Sequence, residues 1–400
     1  MSTNLATIPI IDSDSHISEP NDLWTSRLPK KWADQAPRPV WHDATGEYHW
    51  QVGDALLQGI TTFSQAGWTE FPPNHPKRLE DTDPACYDPK ARLERLDEFG
   101  VYAQVMYPNV LGFSAGAFIA LQDAELALAC VRAYNDFQTE FAEADPNRLL
   151  PVTMLPFWNL DAAVAELHRA ADNGHRGVLL AVEYDKVGLP NIYDPHWEPL
   201  LKGVEERGQS CNFHVGFNQL TPELVTALAT MPGDQFARLA VPTMLNNVRH
   251  IVDLVTTGLC HRYPGINFVS VESGASYLPY VIESLDWQWK NHGAHKIHPD
   301  WELPSYYIRR QIFGSYWFER DSIARTIELI PDNIMFETDF PHPISLSPGP
   351  ASFAENPRKM AEESMRDVPE EIVRKVFFQT AARLYKVDVP KDFGNRAQAG

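Results

Sequence analysis

Eight short apolar runs, each followed by a stretch with helical spacing, recur along the chain. That alternation constrains the fold more than any single motif does. The runs lie at 8–11, 101–107, 149–155, 177–182, 210–215, 266–271, 311–317 and 333–337. The helical stretches lie at 88–98, 123–145, 160–172, 195–206, onward from 215 to 262, and at 277–289, 321–329 and 370–385. Strand–helix alternation of this kind implies parallel strands joined by right-handed crossovers. Eight units in one chain of 400 residues predict an α/β fold, a closed (β/α)8 TIM-like barrel forming a single domain over 1–400. An open doubly wound sheet would want a Gly-rich phosphate loop after an early strand, and the sequence has none.

Two segments stand outside the alternation. Residues 21–87 are irregular and rich in Pro, Trp and Gly, with a hairpin-like piece at Glu47-Tyr48-His49-Trp50-Gln51-Val52. This insertion after the first strand reads either as a lid over one end of the barrel or as an exposed or subunit-contacting arm. As a lid, it would wall a pocket with Trp41, Trp50 and Trp68. Residues 386–400 read as a polar, frayed tail.

A net charge of −19 with no basic stripe excludes nucleic acid and anionic membrane as partners. Cys86, Cys130, Cys211 and Cys260 lie far apart and form no C-x-x-C pair. They read as small buried hydrophobes in a reducing compartment. No basic-then-apolar leader and no membrane-length apolar run is present, so a cytoplasmic protein is expected.

The chemistry lies where the apolar runs end. Ile8-Pro9-Ile10-Ile11 leads into Asp12-Ser13-Asp14-Ser15-His16, with Glu19 close behind. Side chains two apart on a strand share a face, which puts Asp12, Asp14 and His16 together. Burying carboxylates and an imidazole beside a core strand is costly unless a cation neutralises them, and Asp plus His is a ligand pair a divalent metal accepts. The fifth run delivers His214, the sixth Glu272, and the eighth Asp339 with His342 three residues on. One such histidine would be an ordinary core residue; four polar strand ends around one barrel are hard to explain by packing. The ends at Tyr107-Pro108 and Ala181-Val182-Glu183 carry no ligand set, and Glu183 is a weak candidate for substrate contact. His292, His295 and His298 match no zinc spacing and read as a solvated loop. Arg309 and Arg310 read as surface ion-pair residues, one of which could bind a substrate carboxylate.

Asp14-Ser15-His16, His214, Glu337-Thr338-Asp339-Phe340-Pro341 and the ending Ala381-Ala382-Arg383-Leu384-Tyr385 resemble the amidohydrolase-related family. This is the branch with aminocarboxymuconate-semialdehyde decarboxylase and the resorcylate-type decarboxylases. The likeness covers most of the chain apart from the insertion. It implies a metal-dependent-hydrolase barrel holding a divalent metal (Zn, Mn or Fe) through Asp14, His16, His214 and Asp339. Two departures mark this chain. Asp14 opens a motif that relatives often start with His or Glu. Glu272-Ser273-Gly274 replaces a histidine that they often carry before a Gly-rich turn. Asp14 and Asp339 together neutralise one dication, which leaves Glu272 and Glu19 in excess. Glu272 then acts as a proton-transfer group with a raised pKa, or a second cation is bound with Glu272, His342 and Glu19 among its ligands.

Three functions follow. One is a metal-dependent hydrolase or decarboxylase of a small carboxylate or aromatic substrate, with Glu272 or Asp339 moving the proton. Another is a dinuclear iron or iron/manganese monooxygenase on the same barrel. The last is a non-catalytic partner subunit. The resemblance also implies a homodimer or higher oligomer, with a paralogous subunit as an alternative partner.

Overall fold

The computed structural model describes residues 5–181, 184–217, 224 and 231–390. Its strands are β1 (Ile11–His16), β2 (Arg38–His42), β3 (Glu47–Val52), β4 (Ala55–Gly59), β5 (Ala103–Tyr107), β6 (Leu149–Met154), β7 (Gly177–Leu179), β8 (Ser210–His214), β9 (Asn267–Val271), β10 (Ile312–Tyr316) and β11 (Ile334–Phe336). Eight of them close a parallel barrel in the order β1-β11-β10-β9-β8-β7-β6-β5. The barrel core is apolar and fully buried, with Val105, Leu150, Val178, Phe268 and Ile334 all inaccessible. Strands buried on both faces read as continuous rather than alternating apolar runs, which is why they were legible.

Local chemistry fixes the crossovers. Asp88 caps the helix Pro89–Phe99 by accepting from the Ala91 amide, and Gly100 ends it in the left-handed region at φ 67°. Asp123 caps Ala124–Ala142, and Asn159 caps Leu160–Asp172. The last helix runs Glu370–Arg374 and Thr380–Tyr385 around a π-turn at Lys375–Gln379.

Four expectations need correction. The first strand begins at Ile11 rather than Ile8, and carries the polar residues within it. The insertion is not wholly irregular, since β2, β3 and β4 form an antiparallel sheet of their own. Trp50 is buried against Trp24 at 5.1 Å, and Trp41 is exposed beside Tyr48, so neither walls a barrel pocket. The start of the tail is anchored: the Asp388 amide donates to Asn147 Oδ1 and Lys386 Nζ to the Arg207 carbonyl.

All four cysteines are free and buried. Arg310 donates to the Cys260 carbonyl and Arg309 to the Leu329 carbonyl, so both serve the scaffold. His298 stacks on Trp301 at 4.0 Å, and Trp301 stacks in turn on His261. Glu183 lies outside the described residues. Among the described residues no helix is long and apolar enough to cross a membrane.

Candidate metal centre

The C-terminal ends of β1, β8, β9 and β11 meet at one buried cluster. β1 supplies Asp14 and His16, and β8 supplies His214 as its last residue. Glu272 follows β9 directly, and Asp339 follows β11 by three residues. Both Glu272 (φ 53°) and Asp339 (φ 58°) adopt the left-handed backbone region, where a side chain is strained. Strain at two carboxylates of one cluster marks a functional site, because packing alone would select glycine there.

The donor atoms converge. His16 Nε2 lies 3.1 Å from His214 Nε2, 3.6 Å from Asp14 Oδ1 and 3.6 Å from Asp339 Oδ1. His214 Nε2 is 3.5 Å from Asp14 Oδ1, and His214 Nδ1 is 3.6 Å from Glu272 Oε2. His342 Nδ1 is 2.9 Å from Asp339 Oδ1. Metal–donor bonds of about 2.0–2.2 Å place neighbouring donors roughly 3.0–3.5 Å apart, and the separations among His16 Nε2, His214 Nε2 and Asp14 Oδ1, and between His16 Nε2 and Asp339 Oδ1, come close to that. Among the described residues, three overlapping sets could hold an ion: Asp14, His16 and His214; His16, Asp339 and His342; and Asp14, Glu272 and Asp339. Both carboxylate oxygens of Asp14 and of Asp339 are buried without a hydrogen-bond partner among the described residues. Buried carboxylates in that state are costly, and a cation between them removes the cost.

Electrostatics point the same way. Burial pushes Asp14 and Asp339 above the usual carboxylate range, and Glu272 up to about 8. Burial also holds His16 and His342 below the usual imidazole range. For His214 burial acts downward, but the facing Asp14 and Glu272 carboxylates outweigh it and hold the ring at about 9. His214 Nδ1 lies 2.7 Å from the Val215 carbonyl. A proton fixed there leaves Nε2 to face the cluster once the ring is neutral.

Two residues of the opening motif stand apart. Asp12 does not share the cluster, because a bulge between Asp12 and Ser15 breaks the register of β1 on β5. Its carboxylate instead accepts from Gln104 Nε2 at 2.7 Å, the Thr338 amide at 2.8 Å and Thr338 Oγ1 at 2.5 Å. Glu19 accepts from the Val110 amide at 2.7 Å and Tyr134 Oη at 2.9 Å, away from the other donors. Glu337, buried and held well above its ordinary value by burial, accepts from the Glu272 amide. Phe63 and Phe113, rather than the insertion's tryptophans, pack on the cluster's imidazoles. Phe113 lies 5.6 Å from the His16 ring, and Phe63 5.3 Å from that of His342. Phe113 sits on a short helix, Val110–Phe113, too brief to leave a periodic signal in the sequence.

A parallel barrel of eight strands with its polar cluster at the strand C-termini defines a class of enzyme fold. The amidohydrolase family model matches residues 11–387, and the chain belongs to that family of enzymes. Among its relatives is the gamma-resorcylate decarboxylase of Rhizobium radiobacter, 26% identical over 271 residues that cover 62% of this chain and 76% of the relative. Another is the 2-amino-3-carboxymuconate-6-semialdehyde decarboxylase of Dictyostelium discoideum, 24% identical, covering 68% and 72%. An amidohydrolase of Mycobacterium avium subsp. paratuberculosis K-10 shares the fold at TM-score 0.72 and 20% identity, over 94% of this chain and 99% of that one. A dihydroxybenzoic acid decarboxylase of Polaromonas sp. JS666, solved with manganese and 2-nitroresorcinol bound, shares it at TM-score 0.58 and 16% identity, over 96% and 99%.

Proposed function

We propose that the chain is a metal-dependent carboxy-lyase acting on a small carboxylic acid, with an aromatic acid as the substrate class. The observation that carries this reading is the set of buried oxygens on Asp14 and Asp339, without hydrogen-bond partners among the described residues, facing His16 and His214 at 3.5–3.6 Å. The decarboxylase relatives and the manganese-bound neighbour support it. Asp14, His16, His214 and Asp339 would hold the ion, which when bound would polarise substrate oxygens as a Lewis acid. Manganese, zinc and iron all accept this mixture of imidazole and carboxylate.

Glu272 is the proton-transfer group. Burial raises its carboxyl to about 8, the range a general acid working near neutral pH needs. In decarboxylation the bond from the substrate carbon to its carboxyl group breaks and carbon dioxide leaves. The electron pair stays on the carbon and takes the proton from Glu272, which is then restored from solvent. Phe63 and Phe113 bring apolar ring surface against the imidazoles of the site, which suits a planar aromatic acid. A hydrolase would use the same four ligands with water as the nucleophile.

A dinuclear centre of the oxygenase kind is the second reading. It is favoured by the grouping of Glu272 with Asp14 and Asp339 in one candidate set, while His342 joins Asp339 and His16 in another. Glu272→Gln separates the two. An unchanged metal count with turnover lost fits the carboxy-lyase; loss of about one ion per chain fits the dinuclear centre. The direct test incubates metal-loaded protein anaerobically with a panel of hydroxylated benzoic acids. Carbon dioxide release is expected. Turnover of these acids that requires oxygen consumption would overturn the carboxy-lyase reading.

A further inference from the structure

His342 differs from the other donors in having its far nitrogen held by a side chain. Its Nε2 lies 3.2 Å from Asn109 Oδ1, and both residues are buried. An amide oxygen only accepts, so Nε2 carries the proton and Nδ1 presents a lone pair. Nδ1 is 2.9 Å from Asp339 Oδ1, yet that oxygen has no hydrogen-bond partner among the described residues. The two atoms are close without being in line for a hydrogen bond. They can instead converge on a third point.

The ring has little freedom to do otherwise. It stacks on His16 at 3.9 Å with the planes 11° apart, and Phe63 lies against it. Asn109 is itself held: its amide donates to Tyr134 Oη at 2.8 Å, and its carbonyl accepts from the Phe113 amide at 2.9 Å. Tyr134 Oη donates in turn to Glu19 Oε1, which also accepts from the Val110 amide. Tyr134 belongs to the long helix Ala124–Ala142, so the support reaches a rigid crossover of the barrel.

We infer that Asn109 is a positioning residue of the metal centre, fixing His342 as the Nε2–H tautomer so that Nδ1 faces the ion beside Asp339. Glu19 and Tyr134 hold Asn109 in place, which gives Glu19 a supporting role instead of a ligand role. The inference rests on the metal-centre reading above and adds His342 to its donors, in the candidate set it forms with His16 and Asp339. Partners of this kind are where ligand orientation is set, and losing one typically weakens metal binding by about 10- to 100-fold.

The test uses full-length protein loaded with zinc, and reads two quantities. Zinc dissociation constants come from chelator competition for wild type, Asn109→Leu, Asn109→Asp, His342→Ala and His16→Ala. Ring-nitrogen NMR of 15N-histidine-labelled protein, assigned through His342→Ala, gives the tautomer of His342. The Nε2–H form is expected in wild type. Asn109→Leu should lose about 10- to 100-fold in zinc affinity. Asn109→Asp, which still accepts from Nε2–H, should stay within a few-fold of wild type. If Asn109→Leu does not fold, Asn109→Ser carries the same comparison. An Nδ1–H tautomer, or Asn109→Leu and His342→Ala with wild-type affinity while His16→Ala loses zinc, overturns this inference alone. Wild-type protein that binds no zinc, manganese or iron overturns the metal-centre reading and this inference with it.

Discussion

The main-chain amide of Asp339 donates to the carbonyl oxygen of Asp14 at 3.0 Å. This bond fastens the end of the last strand to the end of the first, so the Asp14 and Asp339 carboxylates cannot move apart independently. The His16 amide repeats the tie by donating to the Phe340 carbonyl at 2.7 Å. A cluster preorganised in this way binds an ion without reordering its backbone, and its affinity should depend chiefly on protonation.

Metal affinity should therefore rise with pH. Burial holds Asp14, Asp339 and Glu272 above the carboxylate range, Glu272 at about 8. His214 stands at about 9 because the Asp14 and Glu272 carboxylates outweigh its burial. Of these, Asp14, Asp339 and His214 must lose protons to ligate, while His16 and His342, held low by burial, are already neutral. Titration of manganese across neutral to alkaline pH should show tighter binding at each step, by up to about tenfold per unit for each proton released. Calorimetry in two buffers of different ionisation enthalpy should show net proton release. Binding that is indifferent to pH would contradict the assignment.

Arg92 should be among the most costly residues to remove. It is fully buried, and burial lowers its guanidinium only to about 10, so it stays charged. Nε donates to the Ala85 carbonyl at 2.6 Å, one terminal nitrogen to Gln104 Oε1 at 3.1 Å and the other to the His16 carbonyl at 2.7 Å. Arg92→Leu takes a hydrogen bond from three buried acceptors directly beneath His16. Urea denaturation should show a loss of about 3–5 kcal/mol. Arg92→Lys should not restore it, because an ammonium cannot reproduce the planar fork. A change under about 1 kcal/mol would show that the site does not depend on this anchor.

His175 should make the fold sensitive to acid independently of the metal. Burial lowers its pKa from 6.5 to about 3. Its ring nitrogens lie within 3.1 Å of Thr139 Oγ1 and Thr153 Oγ1. Above pH 6.5 the ring is neutral folded or unfolded, and its contribution is fully present. Below that the unfolded chain takes up a proton that the folded one refuses, so stability falls as pH drops toward about 3. His175→Gln should flatten that part of the curve relative to wild type. Parallel curves for the two proteins would show that the ring is not held neutral.

What the sequence revealed and what it hid divide along physical lines. The barrel was legible because fully buried parallel strands leave continuous apolar runs between capped helices, as at Asp88 with Gly100. His16, His214, Glu272 and Asp339 were legible because each ends such a run. Asp12 was misplaced because period-two reasoning assumes an unbroken strand, and a bulge has no composition signature. Glu19 was grouped with the donors by nearness along the chain, while its partners Val110 and Tyr134 lie some ninety residues or more away. Asn109, Phe63 and Phe113 were missed for the same reason: contacts on His342 and His16 made from loops and a four-residue helix carry no periodicity. The insertion's tryptophans drew notice by size, but Trp50 had a core to fill.

The most direct test of the account is metal content by mass spectrometry, on protein grown with manganese, zinc or iron and dialysed free of loose ions. Wild type should retain at least one ion per chain, and His16→Ala and His214→Ala should retain essentially none while keeping their far-ultraviolet circular dichroism. Wild type without a retained ion, or either variant at full occupancy, would contradict the assignment of Asp14, His16, His214 and Asp339 as the centre.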